Sequence, residues 1–313
     1  MNETIMSAGV ACPTEYAVLR TLSYFELFSY PLTAEEVWWY LHQSPGARKP
    51  EASQSEIRDT LDALVAQERI FSFQGFYQTN RHPDWAKDRM DCNRRADQLM
   101  PMARRMARLI SAFPFIQAVF VSGSLSKNCM RPDSDIDFFM ITTPGRLWLT
   151  RTLLVLFKKV FLFNSHKYFC VNYFIDTDHL NIEEQNLYTA TEIVTLLPLY
   201  GREGYLSFCA ANAWAWKYLP NAVGRDTGSI PPYRIGFVKK GLERLLGGRF
   251  GTWLDEQFMQ ITLKYWRRKF SHFDQAIFDT ALKSRRYVSK HHPLNFQKKV
   301  LDAFEQKIGS LWP

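Results

Sequence analysis

The first periodic run of apolar positions starts at Glu15 and reaches Leu41. It predicts two helices with a break at Ser29-Tyr30-Pro31, because proline disfavours helical backbone at the residue before it. Thr33, followed three residues later by Glu36, is a capping-box start for the second helix. Ile57, Leu61, Leu64 and Val65 carry a third helix across Gln54 to Gln67. Two short runs rich in aromatic residues, from Arg69 and from Phe76, then flank Gln74-Gly75 as a hairpin. Residues 1–13 lack such a pattern and are expected to be a disordered tail, and 44–53 a loop.

From Arg89 to Ala112 the spacing predicts a long basic amphipathic helix. Phe115 to Ser122 is a strand rich in β-branched and aromatic residues, and Asp135 to Thr142 is a second. A helix over Arg146 to Phe163 and a third strand over Lys167 to Ile175 follow. This alternation argues for an α/β or α+β core. Beyond Glu183 most segments have helical spacing, with breaks at Pro198, Gly201, Pro220, residues 228–232, Gly247-Gly248 and Pro293.

Charge divides the chain unevenly. From Pro231 to the last residue there are 16 Lys and Arg against 7 Asp and Glu; the first 230 residues hold 23 against 24. The basic C-terminal third suits a nucleotide, nucleic acid or anionic membrane, or is a helical domain with a solvated basic face. The five cysteines are scattered without a C-x-x-C pair, which argues against a disulfide framework or zinc site and fits a cytoplasmic protein. No signal-peptide pattern opens the chain. Arg151, Lys158 and Lys159 interrupt the best membrane candidate, Leu147 to Phe163, so no membrane insertion is expected.

Three helices followed by a hairpin resemble a winged helix-turn-helix, on FELFSYPLTAEEVWWYL and LDALVAQERIF…GFYQT. Such domains bind DNA or serve as packing modules. The helix in the recognition position carries Glu56, Asp59 and Asp62 against Arg58, whereas phosphate contacts need basic residues.

The densest chemistry lies between Val121 and Phe139. A strand ends at Ser122, and Gly123 lets the backbone turn sharply beside a ligand. Residues from Ser124 can start a short helix whose free N–H groups, with the Ser124 hydroxyl, suit phosphate oxygens. Asp135 and Asp137, two apart on a strand, point the same way, with Ile136 toward the opposite, buried face. Two hard carboxylates on one side suit Mg²⁺ or Mn²⁺. Lys127, Arg131 and Ser134 lie in the same loop and are candidate phosphate contacts.

This arrangement resembles the DNA polymerase beta-like nucleotidyltransferase superfamily, of the minimal type. The resemblance rests on Gly123-Ser124, the spacer, Ser134, Asp135-Ile136-Asp137 and the apolar flank Phe138-Phe139, within Phe115 to Ile175. Small members often carry glycine where this chain has Asn128; asparagine is the next best residue for left-handed backbone. The resemblance implies a Mg²⁺-dependent transfer of a nucleoside monophosphate from an NTP to an acceptor hydroxyl, with release of pyrophosphate. It also implies a third carboxylate on a following strand. The corresponding position here is Asn172, which can ligate through its carbonyl but cannot take a proton; Asp176 lies four residues on. A one-metal enzyme, an enzyme with a displaced base, and a catalytically weak or inactive nucleotide-binding regulatory protein all remain open.

The expected fold is therefore α+β. A winged-helix-like domain would span 14–85, a nucleotidyltransferase mixed sheet with flanking helices 86–182, and a basic helical domain 183–313. The partners would be an NTP and, on the basic C-terminal helices, a nucleic-acid or other anionic acceptor. Arg146 and Arg151 would neutralise a triphosphate or pair with Asp133 or Asp176. Glu192, on an otherwise apolar helix, needs a partner, for example an arginine. The cluster of Lys290, His291, His292 and Pro293 would grip an acceptor phosphate or a base, or be a helix-capping loop; the run Lys264 to Lys269 would be a phosphate-binding helix edge or a solvated basic face.

Overall fold

The structure is a computed structural model and describes residues 13–42, 52–163, 167–291 and 296–311. The expected tail, apart from Pro13, and most of the expected loop over 44–53 lie outside the described residues. The fold is α+β.

The N-terminal part follows the expected order with one addition. Helix α1 (Pro13–Glu26) ends before Ser29, whose φ is 50°. Strand β1 (Leu32–Thr33) precedes α2 (Ala34–Trp39) and α3 (Gln54–Ala66). Both halves of the Thr33–Glu36 capping box form, at 3.0 and 3.2 Å. Strands β2 (Phe71–Phe73) and β3 (Phe76–Gln78) close a hairpin over Gln74 and Gly75, both at positive φ. Such a two-residue turn matches the right-handed twist of its strands. The sheet order β1-β3-β2 completes a winged-helix topology. The sequence pattern missed β1 because two residues carry no periodicity.

Helix α4 (Asp84–Ser111) starts five residues earlier than its amphipathic spacing indicated. It leads to β4 (Ile116–Ser122), the single turn α5 (Gly123–Ser126), β5 (Asp137–Thr142), α6 (Leu147–Phe161) and β6 (Cys170–Asp176). Strand β5 runs antiparallel to β4 and parallel to β6, which makes the sheet mixed.

The region beyond 183, expected to be mostly helical, also carries three strands of the central sheet. Helix α7 (Leu187–Thr195) is followed by β7 (Leu197–Tyr200), which pairs with β4, and by α8 (Arg202–Ala211) and a 3₁₀ turn (Ala213–Lys217). After α9 (Phe237–Leu246), α10 (Arg249–Lys269) and α11 (Gln275–Ala281), a hairpin of β8 (Ser284–Arg285) and β9 (Val288–Lys290) adds to β6. The six-stranded order is β7-β4-β5-β6-β9-β8, so the sheet does not end at residue 182. Pro198 suggested only a helix break. It sits in an edge strand, where a missing N–H is tolerated. At the end of β7, Gly201 has φ +79°, and a Cβ there would lie 2.2 Å from the Gln117 carbonyl oxygen.

Strand alternation sends the sheet's side chains into two cores. Ala118, Phe120, Phe139 and Ile141 face α7, α8 and the winged-helix interior in one continuous cluster. Val119, Val121, Phe138 and Met140 face α4, α6, α10 and α11 in the other. The last helix, α12 (Phe296–Leu311), packs on α1 and α7, with Phe304 edge-on to Tyr24 at 5.4 Å and Lys307 ion-paired to Glu26. Residues 85 and 182 therefore mark no break in the hydrophobic interior. The winged helix shares its core with one face of the central sheet.

Candidate active site

The carboxylate pair stands at the edge between β4 and β6. In register, Asp137 lies between Ser122 at the end of β4 and Cys170 at the start of β6. Ile136 is buried, while Asp135 and Asp137 are partly exposed, as alternation requires. Asp135 precedes the regular part of β5, but Ile136 already bonds in ladder fashion to Lys167 and Cys170.

Gly123 is required twice over. Its φ is +67°, and a Cβ there would stand 2.7 Å from Asp137 Oδ2. The absent side chain is thus the space that the Asp137 carboxylate uses. Asn128 also takes the left-handed backbone expected of it, with φ 52°.

Asp137 is held from two sides by β6. Asn172 Nδ2 donates to Asp137 Oδ1 at 2.9 Å, and the Cys170 thiol bonds the same carboxylate. Burial nevertheless pushes the Asp137 pKa from its ordinary 3.8 up to about 6, against those two bonds and with help from the charge of Asp135. Burial and the charge of Asp137 likewise push the Cys170 thiol far up, so it stays a neutral donor.

The two candidates for a third ligand separate clearly. Asn172 sits at a register irregularity between Val171 and Tyr173, against Asp137, and its backbone carbonyl accepts the N–H of His291 at 2.9 Å. Its Oδ1 is buried and has no partner among the described residues. Asp176 pairs in register with Thr142, at the opposite end of β5 from Asp137. Five residues of strand make that roughly 16 Å. Asp176 also binds His179 Nδ1 at 2.7 Å and the N–H of Asp178. It is therefore no part of the site. His179 instead lines an open cavity of about 710 Å³ with Thr177, Glu183 and Tyr287, away from the carboxylate pair.

Several loop residues have protein partners. Lys127 Nζ pairs with Glu192 at 2.8 Å and reaches the Gly123 carbonyl at 3.1 Å. Glu192 thus finds a lysine of the motif loop where an arginine was the expected partner. Arg131 Nη2 donates to the Phe28 carbonyl of the winged helix at 2.7 Å. The Ser124 hydroxyl faces Met130 Sδ at 3.3 Å, and Ser134 closes a turn by bonding its N–H to the Arg131 carbonyl. Arg146 is spent on the carbonyls of Gly247 and Gly248.

Arg151 pairs with neither Asp133 nor Asp176. Its guanidinium lies 5.6 Å from the Trp148 ring and 4.8 Å from the Trp266 ring, and burial lowers its pKa to about 10. His291 packs on the same Trp266 at 4.9 Å. Two helical turns on from Arg151, Lys158 is buried, its pKa lowered by that burial and raised in part by Cys170 and Asp135.

Sequence reasoning missed how the loop is braced. Arg225 Nη2 donates to the carbonyls of Ser126 and Thr195, at 3.0 and 3.2 Å. Tyr30 donates its hydroxyl to the Lys127 carbonyl at 2.5 Å and accepts from buried Arg89 at 2.7 Å. Arg89 is in turn gripped by both oxygens of Glu36, at 2.6 and 3.0 Å. Arg89 is the one buried arginine of α4, and its partners lie more than fifty residues away in the chain.

Asp135 and Asp137 with the unpartnered Asn172 oxygen suit a Mg²⁺ ion. That ion takes one or two carboxylates and draws its remaining oxygens from water and substrate phosphate. Among the described residues no group of three or more His, Cys, Asp or Glu is placed to hold a metal. No protein-family model, curated protein or solved structure matches the chain.

Proposed function

We propose that this protein is a nucleotidyltransferase that moves a nucleoside monophosphate from an NTP to an acceptor hydroxyl and releases pyrophosphate. The observation that carries the proposal is the interlock of Gly123 with Asp137, where the glycine's positive φ and missing Cβ seat the carboxylate against the loop. A glycine so constrained beside a carboxylate pair serves a site where substrate and backbone come close.

Asp135, Asp137 and Asn172 Oδ1 would hold Mg²⁺ or Mn²⁺. The bound ion would polarise the α-phosphoryl group and offset the charge that develops on attack. The chain's own residues do the rest. Asn172 Nδ2 fixes the Asp137 carboxylate, and Lys127 ties Glu192 to the Gly123 carbonyl so that the loop keeps its shape. Lys158 and Arg151 bring cationic charge to the α6 side, opposite in sign to a triphosphate.

Purified protein with labelled NTP, Mg²⁺ and a panel of hydroxyl acceptors tests the proposal. Asp135→Asn with Asp137→Asn should abolish label transfer and pyrophosphate release in a folded protein; full activity in that double variant would sink it.

Asn172 supports a second possibility, a regulatory protein that binds nucleotide with weak or no chemistry. Its amide bonds Asp137 and, unlike the carboxylate that the resemblance implies there, cannot accept a proton. Saturable NTP binding without pyrophosphate release across all acceptors would favour that alternative.

A further inference from the structure

Helix α9 is built inside out. Its contacts with the body of the protein are polar: Lys239 Nζ donates to the carbonyls of Ser111 and Ile116, at 3.0 and 2.6 Å, and Glu243 Oε1 accepts the N–H of Phe115 at 2.6 Å. Its apolar residues face solvent instead. Phe237 is 97 % exposed, Val238 78 % and Leu245 71 %. At about 100° per residue, Val238, Leu242 and Leu245 fall within roughly 60° of one another, on one flank of the outward face. Lys240 and Arg244 lie on the other flank, and Phe237 lies between.

Helix α10 continues the pattern. It follows α9 through Gly247-Gly248 and packs against it. Phe250, Trp253, Ile261 and Tyr265 are exposed along one stripe, and the first two rings stack at 6.0 Å. Over both helices the exposed cations are Lys240, Arg244, Arg249, Lys264, Arg267, Arg268 and Lys269, and the exposed acid is Glu256.

We propose that the α9–α10 face docks the protein on a membrane surface containing anionic phospholipid. Exposed aromatic and aliphatic side chains among lysines and arginines are the pattern that sinks into the headgroup boundary, with the cations drawn to anionic lipid. Two other occupants fit less well. A twofold contact would set this patch against itself and oppose seven cations with seven. Nucleic acid would satisfy the cations but leave Val238, Leu242 and Leu245 without apolar surface to cover. Docking is peripheral: among the described residues, no helix is long and apolar enough to cross a membrane.

The test is flotation of the full chain with vesicles of phosphatidylcholine alone and of phosphatidylcholine with phosphatidylglycerol, at low and high salt. Wild type should float only with the anionic vesicles and be released by salt. Phe237→Ser with Leu245→Ser should weaken binding at least about tenfold. Arg267→Gln and Arg268→Gln should each cost about fivefold. A second measurement does not depend on those variants: brominated phosphatidylglycerol should quench wild-type fluorescence more than that of Trp253→Phe. Failure to float with either vesicle type would overturn the proposal, whether the serine variant then dissolves a dimer or weakens retention of DNA. Equal quenching of wild type and Trp253→Phe would overturn it too.

Discussion

Asp137→Asn should stabilise the metal-free protein while abolishing its chemistry. Burial raises the Asp137 pKa from 3.8 to about 6 in the folded chain. A carboxyl with a raised folded pKa favours folding while it is protonated. That contribution is complete below the unfolded value of 3.8, fades as pH rises, and is gone above about 6. The difference of roughly two units corresponds to about 3 kcal/mol at 1.36 kcal/mol per unit. Solvent on the open side of the site trims it to about 1–3 kcal/mol. Asparagine keeps an oxygen for Asn172 Nδ2 and carries no charge to desolvate. The variant should therefore melt about 2–6 °C above wild type at pH 7.5, at roughly 2 °C per kcal/mol for a chain of this size. Near pH 4 the gap should close. Scanning calorimetry in EDTA at both pH values measures it, and Mg²⁺ with NTP should then raise the melting temperature of wild type alone. An Asn variant no more stable than wild type at pH 7.5, or a gap independent of pH, would refute the account of Asp137 as a strained, buried charge.

Three further outcomes follow from other contacts. Gly123→Ala places a Cβ 2.7 Å from Asp137 Oδ2 at a φ of +67°; it should cost about 1–3 kcal/mol in urea unfolding and remove nucleotide binding measured by calorimetry. Glu36→Gln leaves buried Arg89 without its counter-charge and should lower stability by about 2–4 kcal/mol, read as a fall in the urea midpoint at constant slope. Burial holds His42 neutral, its pKa well below 6.5, so its contribution is present above 6.5 and lost as pH falls below it; His42→Phe should flatten the loss of melting temperature between pH 7 and 5.

The parts legible in the sequence were those that depend on local rules. The Thr33–Glu36 cap, the Gln74-Gly75 turn and the strand that stops at Gly123 each follow from a few adjacent residues. What was hidden depends on partners far along the chain. Simple alternation along β6 put Asp176 on the face of Asn172, about 13 Å further on, but the register irregularity at Asn172 breaks that alternation. Only the parallel register with β5 shows that one meets Asp137 and the other meets Thr142. Strand β7 was masked by Pro198, whose edge position is a property of the assembled sheet. Lys127 and Arg131 read as candidate phosphate contacts because their protein partners, Glu192 and the Phe28 carbonyl, lie 65 and 103 residues away.

Those distant partners also bear on what the winged helix is for. The outward face of α3 is exposed and carries Glu56, Asp59 and Asp62, charges that repel a phosphate backbone. The opposite side of the same domain grips the motif loop, through Tyr30 on the Lys127 carbonyl and the Phe28 carbonyl on Arg131. Arg89 locks Tyr30 to Glu36, the residue that also caps α2. A disturbance of α2 therefore has a direct mechanical route to the backbone between Gly123 and Asp135. These contacts favour the domain as a brace for the candidate site over a reader of DNA. The interior supports the same assignment, since the winged-helix core runs without a break into the sheet face that carries Phe120 and Phe139.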